Sequence, residues 1–178
     1  SGKVLKSDGT NAAWGTDEGG KILQVVSSTN VTHSSKTIGT SDTLVGSGND
    51  FVLSITPVAS NSWMRVEARW FGEMSGAWDT KFNIHKDGAR VNAGNNDVRH
   101  GLSLATSSYG NSNDDSTPEI MHLTTIDKGT TTAGVSISYS LVVSSAGAET
   151  MWTNRCFTNT SNSTETGTSE IIITEIGA

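Results

Sequence analysis

The residue types that do catalytic chemistry occur in this chain without the spacing that catalysis requires. There is no Gly-x-Ser-x-Gly, His-Glu-x-x-His or phosphate-binding glycine motif, and the four histidines are scattered. The carboxylates could supply a glycosidase pair, but any acidic surface offers such pairs. The sequence therefore favours a binding or structural protein over an enzyme, with no cofactor and no bound metal.

The segment NSNDDSTPE, residues 111–119, gathers the oxygen donors that calcium prefers. Its spacing does not match an EF-hand loop, and clusters of Asn and Asp are ordinary turn formers. We expect a surface turn here, with a calcium site as the alternative.

Two polar segments combine an aromatic side chain with amides and carboxylates, the mixture that shallow sugar sites use. One is GEMSGAWDT and the other is SSYGNSNDDS. The predicted receptor-binding residues are Trp78, Asp79, Tyr109, Asn111, Asn113, Asp114 and Asp115. The alternative for Trp78 is packing against a neighbouring subunit.

Composition limits the kind of protein that carries these segments. The chain has 178 residues, enough for one domain with a core, and only 34% are hydrophobic. Its net charge of −6 disfavours nucleic acid and anionic membranes as partners. No apolar stretch approaches the ~20 residues of a membrane span, so we expect no membrane insertion. The initial Ser1-Gly2, without Met, suggests a piece cut from a longer protein.

Short β-branched runs separated by polar turns predict an all-β protein with almost no helix. Residues 1–19 form a lead that ends in a flexible joint, and residues 20–178 form the domain. We predict about ten antiparallel strands in a sandwich or jelly roll. They lie near 21–26, 31–39, 51–56, 63–71, 80–88, 99–106, 119–126, 134–144, 150–157 and 170–176.

The alternation of residues in WMRVEARWF separates two faces of one strand. Met64, Val66, Ala68 and Trp70 share a face that must pack in the core. The opposite face holds a row of charges bracketed by two aromatics, which is unusual for a solvated surface. We interpret it as a subunit interface made by Trp63, Arg65, Glu67, Arg69 and Phe71. Ordinary surface is the alternative.

A second strand, GVSISYSLVV, shows a similar division. Val135, Ile137, Tyr139 and Leu141 are predicted in the core, and the intervening serines on a face that permits close approach. Cys156 is the only cysteine, which excludes an intrachain disulfide, and we expect a buried thiol within a strand.

Ten antiparallel strands place loops at alternate ends of a sandwich. This count puts 72–80, 107–116, 38–49 and 145–149 at the end where the chain enters. It puts 57–62, 93–97, 127–133 and 159–169 at the distal end. One miscounted strand reverses the assignment.

Several further motifs occur in order along the chain: GKILQVV, SITP, RHGLSLATSSYG, LTTIDKGTTTAGVSISYSLVV, WTNRCF and EIIITEIGA. Together they resemble the C-terminal domain of tailed-phage fibre proteins. Ile126-Asp127, Asn154-Arg155 and the run from Ile171 to Ile176 match positions typical of that family. The opening LKSDGTNAAWG is similar to the segment that precedes such domains. The loop ARVNAGNNDVRHG departs from the family, with Arg90 and Arg99 separated by an Asn-rich insert.

The resemblance implies a homotrimeric jelly roll of the tumour-necrosis-factor or C1q type at the tip of a tail fibre in the virion. Such a domain would bind a bacterial surface glycan or outer-membrane protein, and other virion proteins through its N-terminal end. A structural appendage, decoration or trimerisation domain without a receptor is the alternative, and a carbohydrate-active enzyme is a weaker one. Trp152, Asn154 and Arg155 are assigned to fold or interface as mid-strand residues.

The lead contains Trp14 in otherwise polar surroundings. We expect residues 7–11 to turn the chain, and Trp14 to be buried in the trimer but exposed in a single chain.

Overall fold

The computed structural model describes residues 3–7, 9–16, 20–76, 80–91, 103–104, 118–158 and 165–177. These residues form antiparallel strands and no helix, so the predicted all-β class is confirmed. The strands are β1 Lys3–Ser7, β2 Ala12–Thr16, β3 Ile22–Asn30, β4 Ser34–Ile38, β5 Thr43–Leu44, β6 Val52–Ile55, β7 Trp63–Met74, β8 Lys81–Lys86, β9 Ala89–Arg90, β10 Ser103–Leu104, β11 Glu119–Asp127, β12 Ile137–Ser144, β13 Glu149–Thr153 and β14 Ser169–Ile176.

The lead is a hairpin rather than an extended link. β1 and β2 pair with each other, and Ser7 lies opposite Ala12, so the chain turns between them as predicted. The Ser7 hydroxyl accepts a hydrogen bond from the Gly9 N–H at 3.1 Å.

The first sheet of the domain is built around β7. β11 pairs along one side of β7, and β14 followed by β13 pairs along the other. β3 then pairs with β14 and β4 with β13. The sheet is therefore four strands wide. Its order is β11, then β7, then β14 and β13 placed end to end, then β3 and β4 placed end to end.

The second sheet has the same width. β12 and β8 pair at its centre, β5 and β6 pair with the far side of β12, and β9 and β10 with the far side of β8. The described chain thus crosses the domain eight times in alternating directions. Numbered along the chain, these passes are β3 with β4, β5 with β6, β7, β8, β9 with β10, β11, β12, and β13 with β14. They lie in the order 1-8-3-6 in the first sheet and 2-7-4-5 in the second.

One hydrophobic core lies between the two sheets, an arrangement consistent with a β-sandwich. The alternation in β7 is confirmed, because Met64, Val66, Ala68 and Trp70 are all buried. The Trp70 ring meets Phe82 of the second sheet with ring centroids 5.4 Å apart. Gly72 follows on β7, and a Cβ atom there would lie 2.0 Å from the Trp152 carbonyl oxygen. Only glycine permits that approach.

Asn154 explains why ten predicted strands make eight passes. β13 ends at Thr153, and Asn154 takes a left-handed conformation with φ of 63°. Its side-chain amide donates to the Asn30 and Thr32 carbonyls, and its Oδ1 accepts from the Ser169 hydroxyl. Asn154 therefore lies where β13 leads into β14, and its side chain binds the backbone where β3 leads into β4. The chain keeps its direction from β13 to β14 and from β3 to β4.

Three sequence-based expectations are therefore wrong. Asn154 and Arg155 follow β13 instead of lying mid-strand, because Asn154 turns the backbone out of the ladder. Cys156 is buried as expected but also lies beyond the strand. Val135 was predicted in the core, yet it precedes β12 and is exposed.

Candidate functional site

The predicted recognition residues lie outside the described part of the chain. They are Trp78, Asp79, Tyr109, Asn111, Asn113, Asp114 and Asp115. The described residues on either side of these segments fix where each one leaves and rejoins the sandwich.

All four attachment points lie at one end. β7 runs toward Ser75, whose N–H donates to the Thr150 carbonyl at 2.9 Å. Leu104 pairs with Lys81, which pairs with Ser144 at the end of β12. Glu119 pairs with Gly72 near the same end of β7. The described residues that flank 77–79 and 105–117 thus all lie at the end that holds the 145–148 turn.

The chain enters the domain at the opposite end. The Gly20 N–H donates to the Gly177 carbonyl at 3.0 Å, and Ile176 pairs with Trp63 at the start of β7. The turns 57–62 and 128–134 lie at this proximal end, since Asn61 N–H donates to the Thr131 carbonyl. For the described turns 57–62 and 128–134 the predicted assignment of ends is therefore reversed, because β3 continues into β4 without turning back. The predicted distal segment 93–97 lies outside the described residues.

The 159–169 segment was predicted to share an end with 57–62 and 127–133, and this grouping is wrong. Ser169 begins β14 and Glu170 pairs with Arg69, so β14 starts toward the distal end and runs to the proximal end. The cause is again the Asn154 junction, which lets β13 and β14 run in the same direction.

Two buried carboxylates hold the proximal turns in place. Glu175 accepts hydrogen bonds from the Val58 and Ala59 N–H groups, the Ser62 hydroxyl and the Gln24 amide. Burial alone would raise its pKa, but these donors outweigh burial and lower the pKa. The carboxylate is therefore a structural anchor whose ionised form is stabilised.

Asp127 holds the neighbouring turn, 128–134, in place in the same way. It accepts hydrogen bonds from the Tyr139 hydroxyl at 2.7 Å and the Gly129 N–H at 2.8 Å, and pairs with Lys86 at 2.9 Å. Burial opposes ionisation, but these partners lower the pKa of Asp127, and burial with the nearby carboxylate raises that of Tyr139. The sequence match at Ile126-Asp127 thus falls on a residue that fixes the proximal end.

The outer face of the first sheet carries five of the six predicted interface residues. Trp63, Arg65, Glu67, Arg69 and Phe71 alternate with the core residues of β7 and point away from the core. Trp63 is 38% exposed, whereas Phe71 is half-buried with Gly167 against its ring. Phe71 therefore contributes to packing as well as to the surface.

The sixth residue, Trp14, lies on the lead hairpin. It is 68% exposed in the single chain, as the sequence predicted for a chain without partners. Its predicted burial in a trimer stays a prediction.

Neighbouring strands extend the outer face with apolar residues that the sequence analysis did not single out. They are Ile22 and Val25 of β3, Ile176 of β14, and Ile120 and Ile126 of β11, all but Ile176 largely exposed. Ile22, Ile176 and Trp63 form a row across three strands at the proximal end. The Lys128 ammonium lies 4.4 Å from the centroid of the Trp63 ring. The alternation within each strand indicates which of these residues lie on the outer face. Only the register between strands shows that Ile22, Ile176 and Trp63 lie in one row.

The middle of the outer face is charged. Arg65 and Glu67 form an ion pair at 2.8 Å. A shallow depression of about 90 Å³ lies beside them, lined by Glu67, Arg69, His122, Glu170 and Ile172. Small-molecule sites usually enclose about 300–1,000 Å³, so this depression suits a single side chain rather than a ligand.

The serines of β12 lie on the outer face of the second sheet. Ser138 and Ser140 are half-buried there, and the Ser138 N–H donates to Asp87 Oδ1 at 2.9 Å. On the same face Asp42 binds Arg90 through two hydrogen bonds, of 2.6 and 2.7 Å, and contacts His85 at 2.8 Å. Burial opposes the charge of Asp42, but these partners lower its pKa to about 2.

Within the described ranges, no three His, Cys, Asp or Glu side chains lie close enough to hold a metal ion. The calcium alternative involves residues 111–119, of which 111–117 lie outside those ranges. The described part of the chain also contains no helix long and apolar enough to span a bilayer. Burial raises the pKa of the Cys156 thiol to about 11, which is unfavourable for a nucleophile.

A scan against models of known protein families matched none, and a search of curated proteins found no significant relative.

Proposed function

We propose that this chain is the homotrimeric host-recognition tip of a tailed-phage fibre. In the virion it binds a bacterial surface glycan or outer-membrane protein through its distal segments. Its lead connects it to other virion proteins. The domain recognises its receptor and catalyses no reaction.

The separation of the two ends carries this proposal. The chain enters at the proximal end, whereas the described residues that flank 77–79 and 105–117 lie at the distal end. A fibre tip requires this polarity, because its attachment must face the shaft and its recognition segments must face the host.

The order of the passes supports the jelly-roll assignment. Eight antiparallel passes in two sheets, ordered 1-8-3-6 and 2-7-4-5, are what two intertwined Greek keys produce. The resemblance of the sequence to phage fibre domains adds to this support.

The outer face of the first sheet supports the homotrimer. It carries exposed Trp63, Ile120 and Ile126 beside a charge row of alternating sign, Arg65, Glu67 and Arg69. Such a mixture fits a copy of the same chain, which can offer both apolar contacts and opposite charges. Three weak receptor sites on one rigid trimer would then bind a cell surface by avidity.

Cell binding by the purified protein tests the function. Light scattering first establishes the mass, with a trimer of 18.7 kDa chains expected. Labelled wild type should then bind host cells, and Trp78→Ala and Tyr109→Ala should each weaken binding at least ten-fold without changing the mass. Val58→Ala is the matched control, because Val58 is exposed at the proximal end.

The outcomes separate the alternatives. A trimer that binds no cells at saturating concentration favours the structural appendage and contradicts receptor recognition. A monomer contradicts the trimer and with it the avidity argument.

A further inference from the structure

The lead hairpin has one bare apolar face. Leu5 and Trp14 lie directly opposite each other in the β1–β2 ladder, so their side chains share a face. They are 61% and 68% exposed. A two-stranded hairpin is marginally stable in water unless another surface covers it.

The other face of the hairpin is covered by its own lysine. The side chain of Lys6 crosses Gly15, where a Cβ atom would lie 2.9 Å from Lys6 Cδ. The Lys6 stem thus shields the backbone on this side. Among the described side chains of the hairpin, the large apolar ones left exposed are therefore Leu5 and Trp14.

The domain offers an apolar surface close to the hairpin. The row Ile22, Ile176 and Trp63 lies at the proximal end, and Ile22 is the first residue of β3. Six peptide steps from Thr16 to Ile22 span at most about 20 Å. The hairpin must therefore stay beside this end of the domain.

We propose that the Leu5–Trp14 face of one copy packs on the Ile22–Ile176–Trp63 row of a neighbouring copy. The single chain leaves Leu5, Trp14 and Ile22 exposed, so its own fold satisfies neither surface. A second copy brings the same two surfaces within reach at the proximal end, where the outer faces of the first sheets would meet. The contact rests on the proposed homotrimer and makes the hairpin a clasp between subunits.

Mixed single-cysteine chains distinguish this contact from folding back within a chain. In a Cys156→Ser background, Leu5→Cys chains with one tag are assembled with Ile176→Cys chains with another. Mild oxidation with oxidised glutathione should link the two tags through an interchain disulfide. Val31→Cys replaces Ile176→Cys as the control, because Val31 is exposed at the opposite end of β3. We expect at least ten-fold more cross-link with Ile176→Cys than with this control.

Three results would overturn the clasp. They are no more cross-link with Ile176→Cys than with the Val31→Cys control, cross-links between Leu5→Cys chains alone, or an intrachain disulfide in a single chain that carries both Leu5→Cys and Ile176→Cys. If the wild type is a trimer by light scattering and the cross-link fails, the clasp is wrong while the proposed function stands. If the wild type is a monomer, both are wrong.

Assembly strength gives a second measurement that does not depend on disulfide chemistry. Leu5→Ser combined with Trp14→Ser should raise the trimer dissociation constant at least ten-fold. Ala13→Ser, on the Lys6 face of the same hairpin, should leave it within two-fold. Equal effects from both changes, or none from the first, would contradict the clasp.

Discussion

The two sheets share a core, but the side chains on their outer faces differ in exposure. On the first sheet, Trp63 and Ile126 remain 38% and 40% exposed, and the Arg65–Glu67 pair lies in solvent. On the second sheet, Asn83 and Val142 are 2% and 3% exposed although they also point away from the core. The charges on that face, Asp42 and Arg90, are bonded to each other.

The difference lies in what the rest of the chain does to each face. The segment before β5 is bonded to the second sheet through Asp42, which contacts Arg90 and His85. The described chain places no such segment over the middle rows of the first sheet. The second face is therefore closed in part by the chain itself, whereas the first stays exposed in the single chain.

The largest effect is expected from breaking the shared core. Trp70→Ala should lower the free energy of unfolding by about 3–5 kcal/mol, because it removes a fully buried indole between the sheets. It also leaves the Thr153 hydroxyl, now bonded to Trp70 Nε1 at 3.1 Å, without its donor. Chemical denaturation of the dissociated chain measures this.

Trp63→Ala is the matched control on the same strand. With its indole on the outer face, it should cost the single chain less than about 1 kcal/mol. Similar losses from both tryptophans would mean that the first face is already closed by the chain.

An intermediate effect is expected where the second face is fastened. Asp42→Ala should lower the free energy of unfolding by about 2 kcal/mol, since it leaves the partly buried Arg90 guanidinium without its carboxylate. Arg65→Ala breaks the solvated pair of the first face and should cost less than about 0.5 kcal/mol. Urea midpoints of the two variants sharpen the comparison, and a reversed order would refute it.

An effect no larger than that of Asp42→Ala appears in the pH dependence. The pKa of Asp42 lies at about 2 in the folded chain against 3.8 for a free aspartate, so the folded state favours its ionised form. This contributes up to about 2 kcal/mol of stability that is fully present above about pH 5 and is lost as the pH falls toward 2. Asp127 and Glu175, whose pKa values are also lowered, contribute in the same direction.

Denaturation at pH 5, 3 and 2 measures this loss. Asp42→Asn should be less stable than wild type at pH 5 and should lose less stability on acidification. An unchanged acid dependence in that variant would show that the Asp42 cluster does not fasten the second face.

Local alternation predicted much of the fold. The two faces of β7 follow from a period of two, and each of the ten predicted strands overlaps a strand of the structure. The turn of the lead and the exposure of Trp14 in a single chain were also predictable from residue type. The five predicted interface residues on β7 share one face for the same reason.

The direction of successive strands was not predictable in this way. Residues 27–30 were predicted as a turn between two strands, yet they belong to β3, and β3 and β4 run in one direction. The reason is the Asn154 side chain, which is far away in sequence and binds the Asn30 and Thr32 carbonyls. The local sequence pattern does not predict such a long-range contact.

The sequence alone determined the all-β class, the core face of each long strand and the aromatic and charged character of the outer face. These properties depend on residue spacing, which backbone geometry converts directly into faces. The tertiary structure decided which loops share an end and which apolar residues join in one row. Those depend on register and on long-range hydrogen bonds, which form only when distant segments of the chain meet.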